Sequence, residues 1–281
     1  MDFKGYIIMD NHMHLSKDGR MLDAVRMFVS AGGNAINLVN LPDHGRPRTG
    51  YYSGLYSDTL KIASLVRESY KIPVVVTLGP YPVDYFYFTE AGLNGFDEME
   101  RGLRIAESLC SNGSASAIGE IGRPHFSYDE KLKEKFDQII YESFEFCRDL
   151  NIPAILHTED LGKEGYMEMV RMASESGIKL KKVVKHHALP DDLSFCSGLT
   201  HSILASRRNV REIRNFNENI VLETDYVDDP TSWKVIPPDS VPRRAAYLRE
   251  THENWKELFQ NIFMDSPIEL FGEETFARLE F

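Results

Sequence analysis

The chain has 281 residues, 42% of them apolar. That is enough to bury a large core, and the length suits a barrel of about 250 residues better than a string of small modules. Its 43 acidic and 32 basic residues leave a formal net charge of −11, a surface that repels phosphate backbones and argues against tight non-specific binding of duplex DNA. The opening Met1-Asp2-Phe3-Lys4 lacks the basic and then apolar pattern of a signal peptide, and no run of about 18 apolar residues could span a membrane, so a cytoplasmic setting is expected. Cys110, Cys147 and Cys196 are odd in number and widely spaced, which points to free cysteines packed in helices rather than a disulfide framework or zinc finger.

Short apolar runs alternate with amphipathic stretches. Strands are expected at Tyr6–Asp10, Ala35–Val39, Pro73–Leu78, Ala115–Glu120, Pro153–His157, Lys182–His186, Leu199–Leu204 and Asn219–Asp225. Helices are expected at Leu22–Ala31, Asp58–Tyr70, Phe96–Leu109, Asp129–Leu150, Tyr166–Ser176, Asn209–Phe216 and Arg243–Phe263. Pro73-Val74-Val75-Val76 is dense in β-branched residues, as suits a parallel strand covered on both faces. Residues 41–57 carry Pro42, Gly45, Pro47, Gly50 and Gly54, with His44 among them, and read as a long functional lid.

Eight strands alternating with helices, about 35 residues per unit, imply a parallel sheet closed into a (β/α)8 TIM barrel over residues 1–281 as one domain. The alternative is an open doubly wound sheet, which lacks support because no GxGxxG follows the first strand and no GxxxxGK[ST] occurs.

Ligand-type residues sit where five of these strands end. His12 and His14 are two apart and would aim into one space in an extended chain. Two neutral imidazoles so placed suit a borderline metal such as Zn²⁺. Glu120, His157, His186 and Asp225 follow the apolar runs of the fourth, fifth, sixth and eighth strands, on the face where barrel enzymes carry their sites. Strand alternation allows only one of His186 and His187 to point inward, and His186 is preferred. Arg207, Arg208, Arg211 and Arg214, at helical spacing in an acidic chain, read as a solvated face rather than a nucleic-acid patch.

The segments His12-x-His14, Ala117-Ile118-Gly119-Glu120-Ile121-Gly122, Ile155-Leu156-His157-Thr158, His186 and Leu222-Glu223-Thr224-Asp225, in this order, resemble the TatD-type metal-dependent hydrolases of the amidohydrolase superfamily, several of which are deoxyribonucleases. The resemblance runs from Asp10 to the C-terminal helix. It implies two divalent ions (zinc, or alternatively manganese or magnesium), one on His12 and His14 with Asp225 beside it and one on His157 and His186, with Glu120 bridging. Two ions about 3.5–4 Å apart would activate a water whose proton Asp225 takes.

The segments facing substrate depart from the family pattern. Gly79-Pro80-Tyr81-Pro82 replaces Gly-x-His-Pro, Gly122-Arg123-Pro124-His125 replaces Gly-Leu-Asp, and His186-His187-Ala188-Leu189 replaces His-Cys-Phe-Ser. The chain therefore resembles a divergent branch. Tyr81, His125 and Arg123 are the expected substrate contacts, with Arg123 clamping an anionic group. The expected activity is phosphoester hydrolysis, on a small anionic substrate or a nucleic acid strand end. The alternatives are a hydrolase of a small ester, lactone or amide, and a metal-binding barrel without catalysis.

Overall fold

Nine parallel strands form one sheet in the order β8-β7-β6-β5-β4-β3-β2-β1-β9. The structure, a computed structural model, describes residues 3–213, 217–229 and 236–279. The strands are β1 (Met9–His14), β2 (Ala35–Val39), β3 (Val74–Leu78), β4 (Ala117–Gly122), β5 (Ala154–His157), β6 (Val183–Ala188), β7 (Thr200–Leu204), β8 (Asn219–Glu223) and β9 (Tyr226–Val227). Two residues separate β8 from β9, and β9 pairs with β1 through Met13–Tyr226 and His14–Val227. The Asp225 amide donates to the His12 carbonyl at 3.0 Å, so the end of the eighth strand returns to the first and the sheet curls into the expected (β/α)8-type barrel.

The helices are α1 (Leu22–Ser30), α2 (Tyr51–Tyr70), α3 (Asp84–Thr89), α4 (Gly95–Ser111), α5 (Glu130–Leu150), α6 (Gly162–Ser176), α7 (Arg207–Glu212), α8 (Ser240–Thr251), α9 (Trp255–Gln260) and α10 (Ser266–Phe271). The main core lies between this helical layer and the outer faces of the strands, with Phe28, Tyr56, Phe88, Leu103, Phe136, Phe144 and Met169 buried there. The barrel floor is closed by smaller apolar groups, among them Met9, Ala35, Val75, Ala117, Ile155, Val184 and Val221, plugged from below by Leu270 and Phe276. One layer higher the interior turns polar. Asn37 donates to the Asn11 carbonyl at 2.9 Å, Thr77 donates to Asn37 at 2.8 Å, and Ser202 donates to Glu223. Pairing inside the barrel makes this buried polar ring tolerable.

Several expected boundaries move, each for a local reason. The first strand begins at Met9 rather than Tyr6, because the amides of Ile7 and Ile8 bond to the Phe263 carbonyl and the Asn34 side chain instead of a neighbouring strand. Helix α2 begins at Tyr51 and takes seven residues from the expected lid, since Tyr51, Tyr52, Leu55 and Tyr56 all bury their side chains. Packing of three aromatic rings overrides the weak helix propensity of Gly54. The short helix α3 was not anticipated. The expected last helix breaks at His252, whose extended backbone separates α8 from α9. The break lets Phe259 pack edge-on to Tyr6 at 5.0 Å. Cys110 and Cys147 are buried in helices, but Cys196 is exposed beyond a short 3₁₀ turn, a correction to the expectation that all three pack in helices. Arg207, Arg208 and Arg211 are exposed as expected, while Arg214 and the end of the helix expected at 209–216 lie outside the described residues. Among the described residues no helix is long and apolar enough to cross a membrane.

Candidate metal centre

The mouth of the barrel is built by three breaks in strand regularity. In β1 the register with β2 shifts between Asp10 and Met13, and Asp10 sits at the break, accepting bonds from the Thr224 amide (2.9 Å), the Thr224 hydroxyl (2.6 Å) and the His12 amide (3.2 Å). Asp10 thereby sews β1 to the end of β8, and burial pushes its carboxyl up to about 7. In β4 the register shifts between Ile118 and Ile121, beside Glu120. Glycines permit the close approach there: a Cβ on Gly122 would lie 2.0 Å from the His157 carbonyl oxygen, and one on Gly79 would lie 2.8 Å from the Gly119 carbonyl carbon. In β6 the shift falls between Lys185 and Ala188, and His187 adopts a left-handed φ of 58°. That turn points His186 inward and leaves His187 exposed.

The six expected ligands converge at this mouth. His12 Nε2 and His14 Nε2 are 3.2 Å apart. Glu120 Oε1 lies 3.7 Å from His12 Nε2, 3.0 Å from His157 Nδ1 and 3.4 Å from His186 Nε2. Its Oε2 lies 3.9 Å from His14 Nε2, and Asp225 Oδ1 lies 3.5 Å from the same nitrogen. Three sets of donor atoms each fit within 4.8 Å: His12, His14 and Glu120; Glu120, His157 and His186; His12, His186 and Asp225. Ligands about 2.0–2.2 Å from a tetrahedral cation stand about 3.3–3.6 Å from one another, so this spacing fits a metal.

The tautomers fit as well. His14 Nδ1 faces the Val39 carbonyl at 3.1 Å, and a carbonyl can only accept. The proton therefore sits on Nδ1, and the Nε2 lone pair faces the cluster. His186 Nδ1 faces Glu223 at 3.0 Å with the same consequence. Glu223 was visible in the sequence only as part of a motif, yet it also accepts from the His187 amide at 2.9 Å and from Ser202. The signal was available: Val221 and Glu223 alternate along β8, so both face one side.

Lone pairs and carboxylates thus crowd one buried space. Burial alone would depress the His12 imidazole, but Glu120, Glu223 and Asp225 outweigh it and raise it to about 9. Burial would raise Glu120 and Asp225, but neighbouring imidazoles hold both well below the usual carboxylate range. His186 is pushed well below its ordinary value by burial and by the charge on His12. A field that holds a proton on a fully buried imidazole is one that would hold a cation.

The expected substrate contacts separate. Tyr81 and His125 both meet the outer nitrogen of His157, the tyrosine hydroxyl at 3.4 Å and the His125 Nδ1 at 3.3 Å. Arg123 does not join them. Its guanidinium, 1% exposed, pairs with Asp137 at 2.5 Å, Glu168 at 2.9 Å and Glu159 at 3.5 Å. The fork expected to clamp substrate is turned to carboxylates of α5, α6 and the loop after β5.

The family model described as TatD related DNase matches residues 9–272. The chain belongs to the TatD-related DNase family. That membership makes it a metal-dependent hydrolase. It is 28% identical over 235 residues to an uncharacterized protein of Methanocaldococcus jannaschii, MJ1127, covering 80% of this chain and 81% of the relative. In fold it is similar to the TatD homologue YjjV of Escherichia coli, at TM-score 0.62 and 16% identity over 94% of this chain and 97% of the other. It is also similar to a phosphotriesterase-like lactonase of Deinococcus radiodurans, at TM-score 0.61 and 14% identity over 94% and 95% of the two chains.

Proposed function

We propose that this TatD-family barrel hydrolyses phosphoester bonds of a small anionic substrate or a nucleic acid strand end, with His12, His14, Glu120, His157, His186 and Asp225 holding two divalent ions, zinc in first place and manganese or magnesium as alternatives. The observation that carries the reading is the sharing of Glu120 between two donor sets, His12–His14 and His157–His186. When bound, such ions supply Lewis acidity, acidifying a water and polarising the substrate oxygen.

The chain's own residues do the rest. Glu120, between the two histidine pairs, offsets part of the repulsion of two positive charges with one carboxylate. Val39 and Glu223 fix the tautomers of His14 and His186, so no proton must leave those nitrogens before a ligand binds. Asp225, held strongly acidic, stays ionised at neutral pH. It stands at the rim, 3.5 Å from His14, where it accepts the proton of the attacking water and passes it to solvent. Tyr81 and His125, grouped at His157, offer hydrogen-bond donors to the non-reacting oxygens of the substrate.

The test is a turnover screen of the metal-loaded protein with a chromogenic phosphodiester, a lactone and an anilide. Turnover of the phosphodiester at least about tenfold faster in kcat/KM, a difference of about 1.4 kcal/mol, supports the reading. Preference for the lactone or the anilide moves the chemistry to carbon centres. No turnover with a full metal complement leaves a metal-binding barrel without catalysis.

A further inference from the structure

The loops that leave β3 and β4 meet beside the metal cluster through aromatic rings. Phe126, on the loop after β4, is the one exposed phenylalanine among the described residues, at 44%. Its ring packs on Phe86 of α3 with centroids 5.3 Å apart and planes 52° from parallel. A lone exposed apolar side chain is ordinary, but one that joins a second ring beside a reactive centre carries information. On its other side Phe126 stands edge-on to His125, at 5.5 Å and 82°. The His125 ring in turn stands 5.5 Å from the His157 ring, with its Nδ1 3.3 Å from His157 Nε2. The exposed ring is therefore two direct ring contacts from a ligand of the candidate centre.

Both rings are held from behind. The Arg123 amide donates to the His157 carbonyl at 2.8 Å, and its buried guanidinium pairs with Asp137 of α5 and Glu168 of α6. Arg123 thus anchors the loop that carries Phe126. Pro124 is buried and fixes the next φ. At the far end Tyr128 packs edge-on to Phe136 of α5 at 5.8 Å, and Asp129 caps α5 by accepting from the Leu132 amide at 2.9 Å. Between these anchors only His125, Phe126 and Ser127 are exposed. Beneath Phe86, its neighbour Tyr85 packs on Phe96 of α4 at 4.5 Å and on Phe136 at 5.9 Å. The exposed pair therefore rests on an aromatic core shared by α3, α4 and α5. A ring supported in this way offers contact area with little conformational freedom left to lose on binding.

Resting on the phosphoester reading above, we propose that Phe126, backed by Phe86, is a specificity-determining residue that receives a planar aromatic ring carried by the substrate several bonds from the reacting phosphorus. A substrate oxygen bonded to His125 leaves the organic part of the ester beside the adjoining ring of Phe126. A flat ring laid there covers apolar surface that otherwise faces water, and gains further from offset or edge contacts with the phenylalanine. A short alkyl ester stops before reaching it. A nucleobase and a simple aryl group share this chemistry. The contact supplies affinity and takes no part in bond making or breaking.

The experiment is calorimetric titration of the metal-loaded protein with three phosphonates, which lack the bond to be hydrolysed: ethylphosphonate, 3-phenylpropylphosphonate and the 5′-methylenephosphonate analogue of thymidine 5′-phosphate. The expected result is that wild type binds at least one ring-bearing ligand about tenfold or more tightly than ethylphosphonate, within the range of a single base–aromatic stack. The tighter of the two identifies the ring as a nucleobase or an aryl group. Phe126→Ala should bring both ring-bearing ligands to within about twofold of ethylphosphonate, and Phe126→Tyr, which keeps the ring, should retain the preference. A preference that survives Phe126→Ala undiminished, or a wild type that binds all three ligands alike, overturns the proposal while leaving the phosphoester reading in place. A metal-loaded wild type that binds none of the three overturns the phosphoester reading and the ring platform with it. Unchanged metal content and far-ultraviolet dichroism in the variants separate loss of the ring from misfolding. Should Phe126→Ala fail to fold, Phe126→Leu, which keeps apolar bulk without a flat ring, takes its place with the same expected loss of preference.

Discussion

Two charge clusters flank the fourth strand, and they are built on opposite plans. On the helical side, Arg123 and Lys133 meet Asp137, Glu168 and Glu159, so that positive and negative groups pair directly. On the barrel side, Glu120 meets four imidazoles whose available lone pairs converge on it, and Asp225 and Glu223 add further negative charge. The first cluster satisfies itself and ties the loop after β4 to α5 and α6. The second gathers three sets of donor atoms, each within 4.8 Å of one another, around one space. Burial of charge is thus a poor guide to function, while burial of unbalanced donor atoms is a good one.

The contrast is open to attack at each member. Glu120→Gln should have the largest effect, because one amide cannot serve both donor sets: kcat/KM should fall by about 1000-fold or more, about 4 kcal/mol, with metal content below one ion per chain. Retention of two ions by this variant would remove Glu120 from its shared position. Arg123→Met should do the reverse, costing about 3 kcal/mol of stability in denaturant titration, at the low end for breaking a buried pair since its partners are partly exposed. Its kcat and KM should remain those of the wild type, and a selective rise in KM for anionic substrates would return Arg123 to the site. Glu223→Gln should weaken metal affinity by about 10–100-fold, as loss of an outer partner to a ligating histidine does. An unchanged metal dissociation constant would make Glu223 a packing residue. His187→Asn should change turnover by less than about threefold, Asn being tolerant of the left-handed backbone there, and a loss comparable to that of His186→Asn would reverse the assignment between the two histidines.

The same contrast marks how far the sequence could be read. Strand alternation with helices was legible because most of the strands carry short apolar runs, as β3 (Val74–Leu78) does, and the expected β2 coincides with the observed one. The site was legible where it depends on order along the chain: His12, His14, Glu120, His157, His186 and Asp225 all follow apolar runs and all reach the mouth. What depends on contact across the chain was not. Arg123 is three residues from Glu120, yet the strand turns it to the outer face, where α5 and α6 supply carboxylates that no local pattern announces. His44 and Asp84, at the start of α3, are 40 residues apart and meet across the chain at 2.8 Å. Helix α2 began early for a related reason, since the pull on Tyr51, Tyr52 and Tyr56 comes from tertiary packing rather than local propensity.

The most direct test of the central claim is elemental analysis of the wild-type chain after dialysis against zinc or manganese, followed by stripping with a chelator and reloading. The account predicts close to two ions per chain, loss of turnover with the ions and its return on reloading. A wild-type chain that folds normally, turns over substrate and carries less than about one-tenth of an ion per molecule would contradict it, because the lone pairs gathered around Glu120 would then have no cation to serve.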